Sequence, residues 1–105
     1  MNKNFKILLI CLLTFLSSSK MVVSEEKKIK IGLLVPLTGD NGNLGKEIIK
    51  ATRMALNDIS SNQIEIYPKD TESNPNKTLS AALEFDQMGI NLVIGPVFYE
   101  NLSYL

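Results

Sequence analysis

Three strand-like runs, Ile29–Val35, Asn62–Pro68 and Asn91–Ile94, are separated by more than twenty residues each, and the separators carry helical periodicity. Such spacing is too long for hairpins and suits parallel βαβ crossovers, which need a dozen or more residues. The chain is therefore confined to an α/β fold built on a parallel sheet. Ile29–Val35 (IKIGLLV) begins by alternating and ends as an unbroken apolar run, the pattern of a strand buried on both faces. Asn62–Pro68 (NQIEIYP) puts Ile64, Ile66 and Pro68 on one face and Gln63, Glu65 and Tyr67 on the other. It reads as a strand near a sheet edge that ends at Pro68. Asn91–Ile94 is a third short strand, broken by Gly95-Pro96.

The separators read as helices. Over Asn43–Ile59, Lys46, Lys50, Arg53 and Asn57 form a polar stripe. Leu44, Ile48, Ala51, Ala55 and Ile59 lie opposite, widened by Ile49 and Leu56. The next helix starts at Asn74-Pro75, a capping side chain before a proline whose missing N–H costs nothing there. Lys77, Ser80, Glu84 and Gln87 make its polar stripe, Leu79, Ala82, Leu83 and Phe85 are apolar, and Gly89 stops it. Leu83, Phe85 and Met88 are assigned to the core. Val97–Leu105 reads as the start of another helix. Two crossovers cover a three-stranded parallel sheet poorly, so the expectation is an N-terminal piece of a longer protein that does not fold alone.

The first residues are set apart from this pattern. Met1–Lys6 carries two lysines and no acid, Ile7–Leu16 is apolar except for Thr14, and small residues follow. This is the composition of a secretory signal peptide, with a cut after Ser19 or after Ser24. Ten residues of helix span ~15 Å, about half a bilayer core, too little for a permanent anchor. The domain reading is thus a signal over residues 1–24 and an incomplete lobe over residues 25–105. The single cysteine, Cys11, leaves with the signal, and the chain has no histidine, which excludes His/Cys metal sites and His-based triads within this stretch. A chain cut after Ser24 keeps eight basic and eleven acidic side chains, a net charge of −3. With no basic cluster, nucleic acid is not a partner.

The segment IGLLVPLTGDNGNLGK (Ile31–Lys46) invites comparison with phosphate loops. Aligning G-x-x-x-x-G-K-[ST] on Gly45-Lys46 puts its first glycine on Asp40 and its hydroxyl residue on Glu47; G-x-G-x-x-G on Gly42 and Gly45 also meets Asp40. A carboxylate there repels the anion such loops hold. Gly39, Gly42 and Gly45 are sufficiently explained by a tight strand-to-helix connection. The position still carries information, because ligands of open parallel sheets sit beyond the carboxyl ends of strands where strand order reverses. With the first strand central, that point lies between Pro36–Gly45 and Gly95–Tyr99. A pocket with Thr38, exposed backbone amides and the Phe98-Tyr99 aromatics suits a small polar solute.

At these residues the chain resembles the type I periplasmic solute-binding proteins, in particular the leucine/isoleucine/valine-binding receptors of ABC transporters. The matching stretches are Ile29–Gly45, Ala51–Ile59, Tyr67–Pro75 and Ile90–Phe98, in the family's order. The resemblance implies a three-layer α/β sandwich with a parallel sheet, the first part of lobe 1 of a two-lobed fold that closes on a solute and delivers it to an ABC permease. It implies a periplasmic location, no enzymatic activity and no cofactor. Carried over, Thr38, Gly39, Leu44, Pro96, Phe98 and Tyr99 face the ligand, which is an amino acid or a similar small polar solute. Phe98 or Tyr99 stands where the family commonly offers a serine to an amino-acid carboxylate. GPVFYENLSYL (Gly95–Leu105) is also similar to the binding-protein-like domain of penicillin-binding-protein activators, which implies a penicillin-binding protein as the alternative partner.

Other residues read as structural. Asp70-Thr71 stabilises the turn before Asn74-Pro75. Glu25-Glu26, Asp40 and Glu47 are solvated charges with no partner across a scissile bond. Tyr67 packs. The glycosylation triplets at Asn76 and Asn101 are short enough to arise by chance.

Overall fold

The computed structural model describes residues 2–16 and 20–105. Ser17 and Ser19, which carry one of the two expected cleavage sites, lie outside the described residues. The elements are α1 (Lys3–Leu16), β1 (Ile29–Val35), α2 (Gly42–Asp58), β2 (Ile64–Asp70), α3 (Pro75–Gln87), β3 (Leu92–Ile94) and a short 3-10 helix (Tyr99–Leu102). No helix among the described residues is long and apolar enough to cross a membrane.

The three strands form a parallel sheet in the order β2-β1-β3. β1 is central and buried along its apolar end, as that double-sided pattern predicts, and β2 is an edge. β2 nevertheless runs through Pro68 to Asp70, two residues past the expected stop. An edge strand uses only half of its amides in the ladder, so one missing N–H is tolerated there. Register pairs Leu33 with Pro68 and Val35 with Asp70, which brings Asp70 level with the end of the central strand.

Right-handed crossovers that leave β1 in one direction and return over it in the other put α2 and α3 on opposite faces of the sheet. On the α3 face, Leu34, Ala81, Phe85 and Ile90 form a buried cluster with Tyr67 and Val93 against it. Phe85 is fully buried, its ring so close to Gly32 that a Cβ there would lie 2.7 Å away. Leu34, Phe85 and Ile90 each contribute about 1.5–3 kcal/mol by leaving water. The buried row of α3 is Thr78, Ala81 and Phe85, at helical spacing, and the Thr78 hydroxyl is satisfied by donating to the Asn74 carbonyl at 2.8 Å. Leu83 and Met88, expected in the core, are 54% and 42% exposed, because they fall off that row. Tyr67 packs as expected, with its hydroxyl donating to Glu65 at 2.8 Å.

Leu33 and Val35 are buried on the other face. There α2 presents Ile48, Ile49, Thr52 and Leu56, all half-buried, whereas Ala51 and Ala55 are exposed and Ile59 is 62% exposed. The expected stripe is thus rotated. Gly45 fixes the rotation: it lies on the face of Ile48, Ile49, Thr52 and Leu56 and makes the closest approach to the chain leaving β1. Ala51 and Ala55 sit about a quarter turn or more to the side. The final segment also departs from expectation. Asn101, Ser103 and Leu105 donate to carbonyls three residues back, so the chain winds as 3-10 rather than α-helix.

Candidate functional site

Three connections leave the carboxyl ends of adjacent parallel strands and so share one rim: residues 36–41 after β1, 71–74 after β2, and 95–98 after β3. The first is shaped by two glycines in different ways. Gly39 takes φ +76, a left-handed value that side chains rarely adopt, while Gly45 lets the start of α2 press against Pro36. The third connection is tied to β1 at Gly95, whose backbone runs against the Leu34 carbonyl.

Asp70 braces the first connection from the second. Its Oδ1 accepts the Leu37 amide at 2.8 Å and the Glu72 amide at 2.8 Å, and its Oδ2 accepts the Thr38 hydroxyl at 2.6 Å. Burial pushes the Asp70 carboxyl up. The Thr38 hydroxyl and the amides of Leu37, Glu72 and Thr38 outweigh that and hold it below its ordinary 3.8. The carboxylate also supports an unusual backbone: Glu72 and Ser73 both take positive φ, 50 and 52. Each such residue costs about 1–2 kcal/mol in isolation. Thr71, buried, helps hold them, its hydroxyl accepting the Ser73 amide at 3.3 Å. Asn41 precedes α2 without capping it; its Nδ2 donates instead to the Ser73 hydroxyl at 3.1 Å.

The residues expected at the site fall into two groups. Thr38 and Gly39 are exposed on the first connection, and Leu44, 44% exposed, stands on the first turn of α2. Pro96 and Phe98 are half-buried on the third, and Tyr99, which opens the 3-10 helix, is 78% exposed. Among the described residues no hydrogen bond joins the two groups, and the polar links of Thr38 run to Asp70 instead. Reading Asp70 as a turn residue captures its bond to Glu72 and misses its bonds to Leu37 and Thr38. The register Val35↔Asp70 is the signal that would have revealed them.

Two further features lie off the rim's open surface. Asn101 is buried, with its Nδ2 lacking a hydrogen-bond partner, which leaves no room for a glycan at that triplet. An open depression of about 830 Å³ is lined by Lys28, Glu65, Met88 and Leu92 among others, at the amino ends of the strands. Ligands of parallel sheets gather at the opposite ends, so the rim is preferred to this hollow.

A parallel sheet with a braced, open rim at its strand-order reversal is the architecture of a ligand-binding α/β lobe. Residues 28–102 match the periplasmic binding protein family, and the chain belongs to that family. Its fold is shared with a leucine-binding protein, LivK, from Thermotoga maritima, at TM-score 0.63 and 22% identity over 70% of this chain. It is also similar to full-length LpoA from Haemophilus influenzae in two crystal structures. One gives TM-score 0.61 and 30% identity, the other 0.55 and 32%, each over 73% of this chain. The chain spans 22% of the length of LivK and 13% of that of LpoA. No curated protein sequence matches it.

Proposed function

We propose that this chain supplies the opening part of the first lobe of a periplasmic solute-binding receptor. The receptor takes an amino acid or a similar small polar solute and hands it to an ABC permease. Residues 1–24 act as a cleaved export signal, and the rim residues Thr38, Gly39, Leu44, Pro96, Phe98 and Tyr99 contribute one wall of the cleft. The observation that carries this reading is the Asp70-braced connection, which holds Thr38 and Gly39 exposed at the point where strand order reverses. Glu72 and Ser73, both at positive φ, support that connection from the second one. The rim residues serve binding in this reading, offering hydrogen bonds and apolar walls to the solute. Lobe closure over the solute then signals occupancy.

The test is calorimetric titration of the full natural protein with L-leucine, the ligand named for the LivK relative. Thr38→Ala is expected to weaken binding several-fold; unchanged affinity counts against this rim as the site.

A second reading, a regulator that contacts a penicillin-binding protein, is favoured by the segment Gly95–Leu105 and by the higher identity to LpoA. Co-purification of a penicillin-binding protein with the full natural protein, without solute binding, would select it.

A further inference from the structure

The Thr38 hydroxyl has one proton, and the structure accounts for where it goes. Asp70 Oδ2 lies 2.6 Å from Thr38 Oγ1. A carboxylate can only accept, so the hydroxyl must donate to it. Asp70 Oδ1 meanwhile takes the amides of Leu37 and Glu72. Together these fix the carboxylate from two connections, leaving it no freedom to turn away. Thr38 is exposed, and what its oxygen shows to solvent is therefore its lone pairs alone, backed by a negative charge.

We infer that Thr38 is an acceptor in the binding site and reads a hydrogen-bond donor on the solute, an ammonium in preference to a carboxylate, and that Asp70 is the positioning residue that imposes this polarity. The inference rests on the solute-binding reading above and deepens it. Asp70 itself does not touch the solute; it acts by consuming the proton with which Thr38 would otherwise greet an anion. The same hydrogen bonds hold its carboxyl below its ordinary 3.8, so it is an acceptor at neutral pH. An amide at position 70 would reverse the arrangement. Its oxygen could still accept the Leu37 and Glu72 amides, but its NH2 would donate to Thr38 and free the hydroxyl proton to face the cleft.

The experiment uses the full natural protein and three probes on one carbon skeleton: L-leucine, isopentylamine, which lacks the carboxylate, and 4-methylpentanoate, which lacks the amine. Affinities are measured by calorimetry for wild type, Thr38→Val, Thr38→Ser and Asp70→Asn. Thr38→Val should weaken L-leucine and isopentylamine about tenfold, the size of one charge-assisted hydrogen bond, and leave 4-methylpentanoate unchanged. Thr38→Ser keeps the hydroxyl and should retain wild-type affinities, which separates the hydrogen bond from any effect of shape. Asp70→Asn should shift preference toward 4-methylpentanoate at the expense of isopentylamine. A merely structural role for Asp70 would weaken all probes alike, and that result overturns the inference. So does a Thr38→Val loss that falls on the carboxylate probe, although solute binding itself would then stand. If wild type binds none of the three, the amino-acid reading fails and takes the inference with it.

Discussion

The carbonyl oxygen of Pro36 occupies the space in which a side chain on Gly45 would begin, an ideal Cβ there lying only 1.7 Å from it. Pro36 and Gly45 are thus the contact on which the rim connection and the helix behind it are joined. The obstructing atom is backbone, so it cannot swing aside as a flexible side chain would. Gly45→Ala is expected to destabilise the protein by about 2–3 kcal/mol, the range of overpacked sites. Gly39→Ala makes a useful contrast: no atom lies within 4 Å of its Cβ, and only the left-handed backbone opposes it. Its cost should be about 1 kcal/mol. Urea midpoints for the two variants check the order. If Gly39→Ala proves the more damaging, the close approach at Gly45 is not what joins these elements.

The start of α3 offers a cleaner test of local physics. Asn74 Oδ1 accepts the amides of Asn76 and Lys77 at 2.9 and 3.2 Å, satisfying two of the helix's open donors. Asn74→Ala removes both bonds and should cost about 1 kcal/mol. Asn74→Asp keeps the acceptor and adds a charge that suits a helix N-terminus, so it should match wild type or exceed it. Thermal melts of the three proteins would rank them, and an alanine variant as stable as wild type would show that the cap contributes nothing.

Asp70 also makes a prediction about acid. Its carboxyl protonates at lower pH in the folded protein than in the unfolded chain, so the native state binds fewer protons in that range. The stabilisation is complete above its ordinary 3.8 and is lost as pH falls through that value toward the folded one. Asp70→Asn, which cannot titrate, should therefore flatten the loss of stability below about pH 4. Glu65 is depressed in the same direction, chiefly by the hydrogen bond from Lys28 and then that from Tyr67, so some acid sensitivity will remain. Urea midpoints measured from about pH 2 to pH 7 give the two curves, and parallel curves would show that Asp70 is not the titrating brace.

What could be read before any coordinates divides along a physical line. Patterns fixed by neighbouring residues were legible: β1 has the expected limits, and Asn74-Pro75 opens a helix as its chemistry dictates. Coverage of β1 on both faces was legible too, because it is apolar on both, whereas its place between β2 and β3 was a condition that the sheet order fulfils. Features set by partners far along the chain were not. The buried row of α3 is decided by Gly32 admitting Phe85, and the hydrogen bond of Thr38 by Asp70, thirty-two residues away. Pro68 misled although the strand was read as an edge, because a proline on an edge strand can leave the ladder intact and its sequence alone does not say whether pairing continues past it. At the site, Thr38 and Gly39 were visible as a broken strand end, whereas the brace became visible only with the register.

The sheet face beneath α2 leads to the last prediction. Register places Leu92 and Ile94 on the same face as Leu33, yet α2 serves the β1–β2 side, and these two remain 52% and 51% exposed. Leu44 on α2 and Ile59 just past its end are also exposed. Apolar side chains arranged along one face of a parallel sheet are covered in stable α/β domains, because such sheets tolerate water on neither side. The buried apolar side chains among the described residues come almost wholly from β1 and α3 with Ile90, a small core against the entropy of ordering this many residues. Residues 25–105 as an isolated polypeptide are therefore expected to unfold without a cooperative thermal transition and to bind a hydrophobic dye such as ANS at room temperature. A sharp transition by circular dichroism with no dye binding would show instead that β1 and α3 hold the sheet by themselves, and that the exposed α2 face needs no cover.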